Sequence, residues 1–340
     1  MGDDNPQLII EAYPWQAAQQ DLLLKLTNAS RLHHAFIFHG AEHLGKFDFA
    51  CAMAALLLCE NKNRDQHKQT NLACQNCHAC NLVKNMAHPD FFIVRPEKET
   101  KPITVDAIRE LVEFMSRSSS RQGRRIVIID QSHRMNSNAS NALLKFLEEP
   151  GDNVHIFLVC SELDALLPTI RSRCQKLSFV APEMTDAVDW LKANVEFKVD
   201  TALLEYASGS PLLAIKLQNN PVFADRHSIL AGLKKLLADN ANCMSYASAW
   251  SDYSLVFFLT WWHACLVDTL KIKLGADIKQ LRFQSLSSEL KFFAEAIDAK
   301  KIQTFNEELF ALRLQLLRAA PFNQGLMLES VLLKWQALAV

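Results

Sequence analysis

Residues 40–46, Gly-Ala-Glu-His-Leu-Gly-Lys, have the types and spacing of a phosphate-binding loop. In such a loop the glycines let backbone N–H groups approach phosphate oxygens, the lysine reaches the outer phosphates, and a following Ser or Thr hydroxyl ligates Mg²⁺. Here the following residue is Phe47, which has no oxygen to offer. A second half-site lies at Arg124-Arg-Ile-Val-Ile-Ile-Asp130, a β-branched run ending in a carboxylate, as a Walker B strand does. Its next residue is Gln131, an amide that is a poor general base where an ATPase of this kind carries a glutamate. Hydrolysis is therefore disfavoured on two independent counts.

A different chemistry is written at Cys74-x₂-Cys77-x₂-Cys80, with Cys59 upstream. Closely spaced thiolates suit tetrahedral Zn²⁺, and a Cys-x₂-Cys turn aims backbone N–H groups at the sulfurs. With four protein ligands the site would be closed, so the metal would be structural. A redox pair, a disulfide or plain buried thiols are the competing readings of the spacing, and His67, His78 and His88 are alternatives to Cys59 as fourth ligand. The intervening 61–71 is polar and has no apolar core of its own, so a metal would offset its ordering cost.

The elements that must position these residues are legible. Ala35 to His39 reads as a buried strand, Asp48 to Cys59 as a helix, Cys80 to Met86 as a helix, and Val154 to Cys160 as an apolar strand. Asn138 to Pro150 reads as a helix with Leu143, Leu144 and Leu147 on its apolar face, stopped by Pro150-Gly151. Strand, glycine loop and helix follow in the order a phosphate site requires.

Asn141-Ala-Leu-Leu-Lys145, Leu147-Glu-Glu-Pro150 and Arg171-Ser-Arg-Cys174 together resemble the AAA+ subunits of bacterial replicative clamp loaders. Tyr13-Pro-Trp15, Leu32-His-His-Ala35 and the degenerate loop set the chain apart from that family's motor subunits, gamma and tau, which keep an intact site. The resemblance implies an α/β AAA+ P-loop domain with an inserted zinc module at about 59–88, and composition ends that domain at about Phe179, giving 1–179. Composition then separates a helical segment over 180–220, the lid in the family, from an all-α domain over 221–340, which in the family builds the collar. Gly40, Gly45, Lys46 and Asp130 would be remnants of a nucleotide site, and ATP binding is not expected.

Arg173 would be an arginine finger placed in a neighbouring motor subunit's ATP site, where a guanidinium stays charged and offers a planar fork of donors. The bland alternative is that Arg171 and Arg173 pair with surface carboxylates. In the lid, Leu212 stands two residues after Ser210, where motor subunits carry an arginine. The resemblance favours Cys59 as fourth zinc ligand. Implied partners are gamma or tau, the delta subunit, and through the assembly the sliding clamp and primed DNA. The chain would then serve a DNA-directed DNA polymerase holoenzyme, a nucleotidyltransferase complex, in DNA replication, without ATP turnover of its own. An ATP-hydrolysing motor subunit is the rival reading.

Composition fits this picture. The 340 residues are 49% hydrophobic with nine glycines, enough apolar content for a large core and, after about Ala181, a mostly helical pattern. A net charge of −1 gives no whole-chain attraction to nucleic acid. Arg117, Arg121, Arg124 and Arg125 form a local basic cluster around a turn at 116–123, read as a solvated charge run or as phosphate contacts. Lys62, Arg64 and Lys68 are the local support for a zinc-dependent nucleic-acid module, which lacks aromatic interleaving. Trp261, Trp262, Phe292 and Phe293 are either subunit-interface anchors or core. The remaining cysteines read as reduced core residues. The longest uncharged run, Tyr253 to Val267, is fifteen residues and short of a bilayer span, so a soluble, cytoplasmic hetero-oligomer is expected.

Overall fold

The computed structural model describes residues 7–61, 73–97, 101–116, 123–151, 153–197, 199, 201–239, 241–317 and 323–339. The chain divides into two compact units, Met1–Ala181 and Pro182–Val340.

The first unit is built in the order α1 (Ala17–Asn28), β1 (Ala35–His39), α2 (Lys46–Leu58), α3 (His78–Lys84), β2 (Phe91–Val94), α4 (Val105–Ser116), β3 (Arg125–Ile129), α5 (Ser137–Glu148), β4 (Val154–Cys160), α6 (Pro168–Arg173) and β5 (Gln175–Ser178). The strands form one parallel sheet in the order β2-β3-β4-β1-β5. Parallel strands covered on both faces read as continuous apolar runs, and Ile126 to Ile129 and Ile156 to Leu158 have no exposed surface. One face packs on α2 through Phe36, Phe38, Phe49 and Phe157; the other packs on α4 and α5 through Ile108, Leu111, Leu143 and Leu147.

The glycine loop joins β1 to α2. Gly40 follows the strand with φ +145°, and a Cβ there would stand 2.1 Å from the Phe179 carbonyl oxygen. Gly45 caps α2 in the left-handed region, and its Cβ would meet the Tyr13 ring at 2.4 Å. Neither position accepts a side chain without displacement.

The second unit is helical: α7 (Met184–Asn194), α8 (Thr201–Tyr206), α9 (Pro211–Leu217), α10 (Pro221–Ala224), α11 (Arg226–Ala238), α12 (Cys243–Ala249), α13 (Leu255–Lys273), α14 (Ser287–Ala296), α15 (Ala299–Leu317) and α16 (Gln324–Gln336). Helices α8 and α9 are separated at 207–210, where the Ser210 hydroxyl accepts the Leu213 N–H and starts α9. Helices on both sides of Asn220 contribute to one hydrophobic cluster.

Within that cluster Trp262 and Trp335 meet edge to face at 5.2 Å, flanked by Phe293 and Phe305. Trp261, Trp262 and Phe293 are buried within this unit, so they are core residues rather than exposed anchors; Phe292 is half-buried at its edge. Helix α13 is long and apolar enough to cross a membrane, yet half of its most apolar stretch is buried against other helices of the unit.

Candidate functional site: a degenerate nucleotide loop, a surface arginine and a four-thiol cluster

The carboxyl ends of β1, β2, β3 and β4 bring the loop, Arg95, Asp130 and Ser161 to one edge of the sheet, where ligands bind in open α/β folds. The loop lysine is in place and turned inward. Lys46 is 6% exposed, and its Nζ donates to the carbonyls of Gly40, at 2.8 Å, and of Ala41. Burial lowers its pKa, opposed by the charges of Glu42 and Asp130 among others. Behind the loop, Trp15 Nε1 and Gln16 Nε2 donate to Leu44 O, Gln16 also reaches Gly45 O, and the Tyr13 hydroxyl donates to Asp48 Oδ2 at 3.0 Å. The Tyr13-Pro-Trp15 signature is thus the strap that fixes the loop from behind.

Position 47 offers an aromatic face where a metal would need a hydroxyl. The Arg95 guanidinium lies 4.0 Å over the Phe47 ring, and its Nε is 3.7 Å from Asp130 Oδ2. Burial raises the pKa of Asp130, while Arg95, the Gln131 N–H and Lys46 pull it down. Gln131 has φ +49°, donates its N–H to Asp130 Oδ1 at 3.0 Å, and accepts from Arg134 Nη1 at 3.3 Å. Its amide is held rather than poised as a base. Arg95 is absent from the residues picked out by sequence; the available signal is a basic residue directly after an apolar strand that pairs with the Walker B strand.

Arg173 ends α6. Its Nη1 donates to Thr169 O at 3.0 Å and its Nη2 lies 2.6 Å from Glu148 Oε1, the last residue of α5. Arg171 pairs with Asp164 on the same surface. Both arginines therefore have carboxylate partners within the chain, and the Arg173 side chain keeps 36% of its surface exposed. In the second unit Leu212 is half-buried on α9 and supplies no charge.

The four cysteines come together. The Sγ atoms of Cys59, Cys74, Cys77 and Cys80 all lie within 4.8 Å of one another, with Cys59–Cys77 at 4.0 Å and Cys74–Cys80 at 3.9 Å. A regular tetrahedron around a metal bound at about 2.3 Å has edges of about 3.8 Å, so the donor set fits a tetrahedral metal ion. Backbone N–H groups point at the sulfurs: Cys77 N to Cys74 Sγ at 3.1 Å, Cys80 N to Cys77 Sγ at 3.4 Å and Cys74 N to Cys59 Sγ at 3.5 Å. Burial pushes the Cys74 thiol up, but the N–H groups of Asn76 and Cys77 prevail and bring it down to about 6.

The helix expected from Cys80 to Met86 begins earlier, at His78, with Cys77 as its cap. His78 and His88 stay outside the four-thiol group, and the His88 Nδ1 accepts from Asp90 N at 3.1 Å. His67, Lys62, Arg64 and Lys68 lie outside the described residues, as do Arg117 and Arg121. Arg125 is occupied, donating to the Met115 and Phe114 carbonyls at the end of α4.

Two family profiles match: one described as DNA polymerase III, delta subunit, over residues 15–183, and one described as its C-terminal part over 222–337. DNA polymerase III subunit delta′ of Pseudomonas aeruginosa is 31% identical over 331 residues, covering 96% of this chain and 98% of that one. The Escherichia coli K12 protein of the same name is 28% identical over 325 residues, covering 95% and 94%. A gamma subunit-related structure from Thermotoga maritima aligns over 95% of this chain and 100% of its own at 18% identity, with a TM-score of 0.43 that is too low to add to the assignment. Identity at this level over nearly the whole of both chains places this protein in the DNA polymerase III delta′ family.

Proposed function

We propose that this chain is a non-hydrolysing AAA+ subunit of a bacterial clamp loader that completes the ATP site of a neighbouring motor subunit with Arg173. The observation that carries the reading is a division of chemistry within one domain. Its own loop lacks the metal-binding hydroxyl and holds Arg95 against Asp130, while a charged, part-exposed guanidinium stands at the end of α6. A finger of this type contributes roughly 10³–10⁵ in rate when supplied in trans. The Glu148 pair is the resting partner of Arg173, an exposed ion pair worth about 0–1 kcal/mol and readily exchanged for a phosphate.

In this reading residues 1–179 form the AAA+ domain, 180–220 the lid and 221–340 the collar by which the chain joins gamma or tau and delta subunits in the cytoplasm. The assembly places the sliding clamp on primed DNA during replication. The four thiols hold Zn²⁺ as a closed structural site that ties the end of α2 to α3. An ATP-hydrolysing subunit is disfavoured by Phe47, Gln131 and Leu212 together.

Reconstitution tests the proposal. The purified chain alone should turn over no ATP, and omitting it from a mixture of motor and delta subunits should abolish clamp loading on primed DNA. Turnover by the chain alone, or full loading without it, would overturn the reading.

A further inference from the structure

We infer that Arg95 is a resident counter-ion standing in for Mg²⁺, and that Phe47 and Arg95 jointly close this loop to a metal–nucleotide. In a P-loop of this class the metal is held between a hydroxyl on the residue after the lysine and the Walker B carboxylate. The guanidinium here engages both of those positions: it lies over the Phe47 ring at 4.0 Å and its Nε is 3.7 Å from Asp130 Oδ2. Residues that would accept a cation have become a site already holding one.

The backbone explains how Arg95 reaches that place. Strands β2 and β3 pair with Val94 opposite Ile129, and the Asp130 N–H donates to Val94 O at 2.9 Å, so the residue after β2 stands beside the residue after β3. Arginine suits the place because its planar guanidinium stays charged, stacks on an aromatic face and pairs with a carboxylate at once. A lysine ammonium would keep the charge but lose the planar stack.

The carboxylates nearest the missing metal position already have cationic or hydroxyl partners within the chain. Lys46 and Arg95 face Asp48 and Asp130, and the Lys46 ammonium is bonded to its own loop's carbonyls. A divalent cation arriving at Asp130 would have to displace Arg95 against like charge. Replacing Phe47 with threonine restores a hydroxyl but leaves the guanidinium on Asp130. Replacing Arg95 alone frees Asp130 but supplies no hydroxyl. This inference goes beyond the trans role of Arg173 and does not depend on it.

The test is calorimetric titration of the full chain with ATP, with Mg²⁺ and with excess EDTA, for wild type, Phe47→Thr, Arg95→Ala and the double variant. The double variant should show Mg²⁺-dependent binding at least about tenfold tighter than either single variant, while wild type shows no saturation at roughly millimolar ligand. Binding by Phe47→Thr alone as tight as by the double variant would overturn the inference, and so would Mg²⁺-dependent binding by wild type. A double variant that keeps its helical circular dichroism yet shows no Mg²⁺-dependent gain would overturn it too. Phe47→Thr with Arg95→Gln, which keeps a polar side chain of similar length without the charge, gives the same discrimination should the alanine variant fail to fold.

Discussion

Loss of the metal proposed at the four thiols should unfold residues 73–86 locally while leaving the parallel sheet intact. The only fully or nearly buried apolar side chains this segment contributes besides its cysteines are Ala73, Ala79 and Val83. At about 0.8 kcal/mol per methyl-sized group and roughly 1.5 kcal/mol for the valine, their burial supplies about 3 kcal/mol. Ordering the backbone of 73–86 at about 1 kcal/mol per residue costs on the order of 14 kcal/mol. The gap of about 11 kcal/mol is of the size that structural Zn²⁺ contributes, about 10–16 kcal/mol. Strands β3 and β4, buried from Ile126 to Ile129 and from Val154 to Cys160 and paired on both sides, do not draw on that contribution. The assay is amide hydrogen exchange resolved by peptide, on the full chain before and after chelation and on Cys80→Ser, with zinc quantified in the same samples. One zinc per chain should be found, and its removal should strip protection from 73–86 and the last turn of α2 but not from 126–129. Absence of stoichiometric metal, or unchanged protection of 73–86 after chelation, would rule out a metal that orders this segment.

Other consequences concern stability. His155 is buried, its Nδ1 lies 3.2 Å from His33 O, and burial lowers its pKa below the ordinary 6.5. The unfolded chain then binds the extra proton more readily, so stability is present above pH ~6.5 and lost as pH falls toward the folded-state value. His34, His39 and His133 share that sign, so thermal midpoints should fall between about pH 7.5 and 5.5, less steeply in His155→Gln. Trp335 has no exposed surface and donates Nε1–H to Leu233 O at 2.9 Å; Trp335→Ala should cost about 3–5 kcal/mol and Trp335→Phe about 1–3 kcal/mol by denaturant titration. Gly45→Ala forces a left-handed alanine into the Tyr13 ring and should cost about 1–3 kcal/mol, with a smaller loss in a Tyr13→Ala background where the collision is gone.

What was legible in the sequence followed from local signals that the fold does not override. Strands β1 and β4 announce themselves because a parallel strand buried on both faces must be apolar throughout, and the cysteines because metal spacing is local. Strand β5 gives no such signal: of Gln175 to Ser178 only Leu177 is buried, and the strand exists through its pairing with β1. Arg95 offers in the sequence no more than a basic residue after an apolar strand, since its partners come from α2 and from the end of β3, and only the register of β2 on β3 brings them together. Trp261, Trp262 and Phe293 could be assigned to core or interface only once α13, α14 and α16 were seen to enclose them.

In the proposed role this chain supplies chemistry to a neighbour rather than performing it. ATP hydrolysis by the clamp loader reconstituted with wild-type or Arg173→Ala chain, stimulated by clamp and primed DNA, tests it most directly once sizing shows that both assemble. Arg173→Ala should lower hydrolysis at the affected site roughly 10³-fold or more, with assembly intact. Unchanged hydrolysis in an intact assembly would reduce Arg173 to the surface partner of Glu148 and rule out a trans-acting finger.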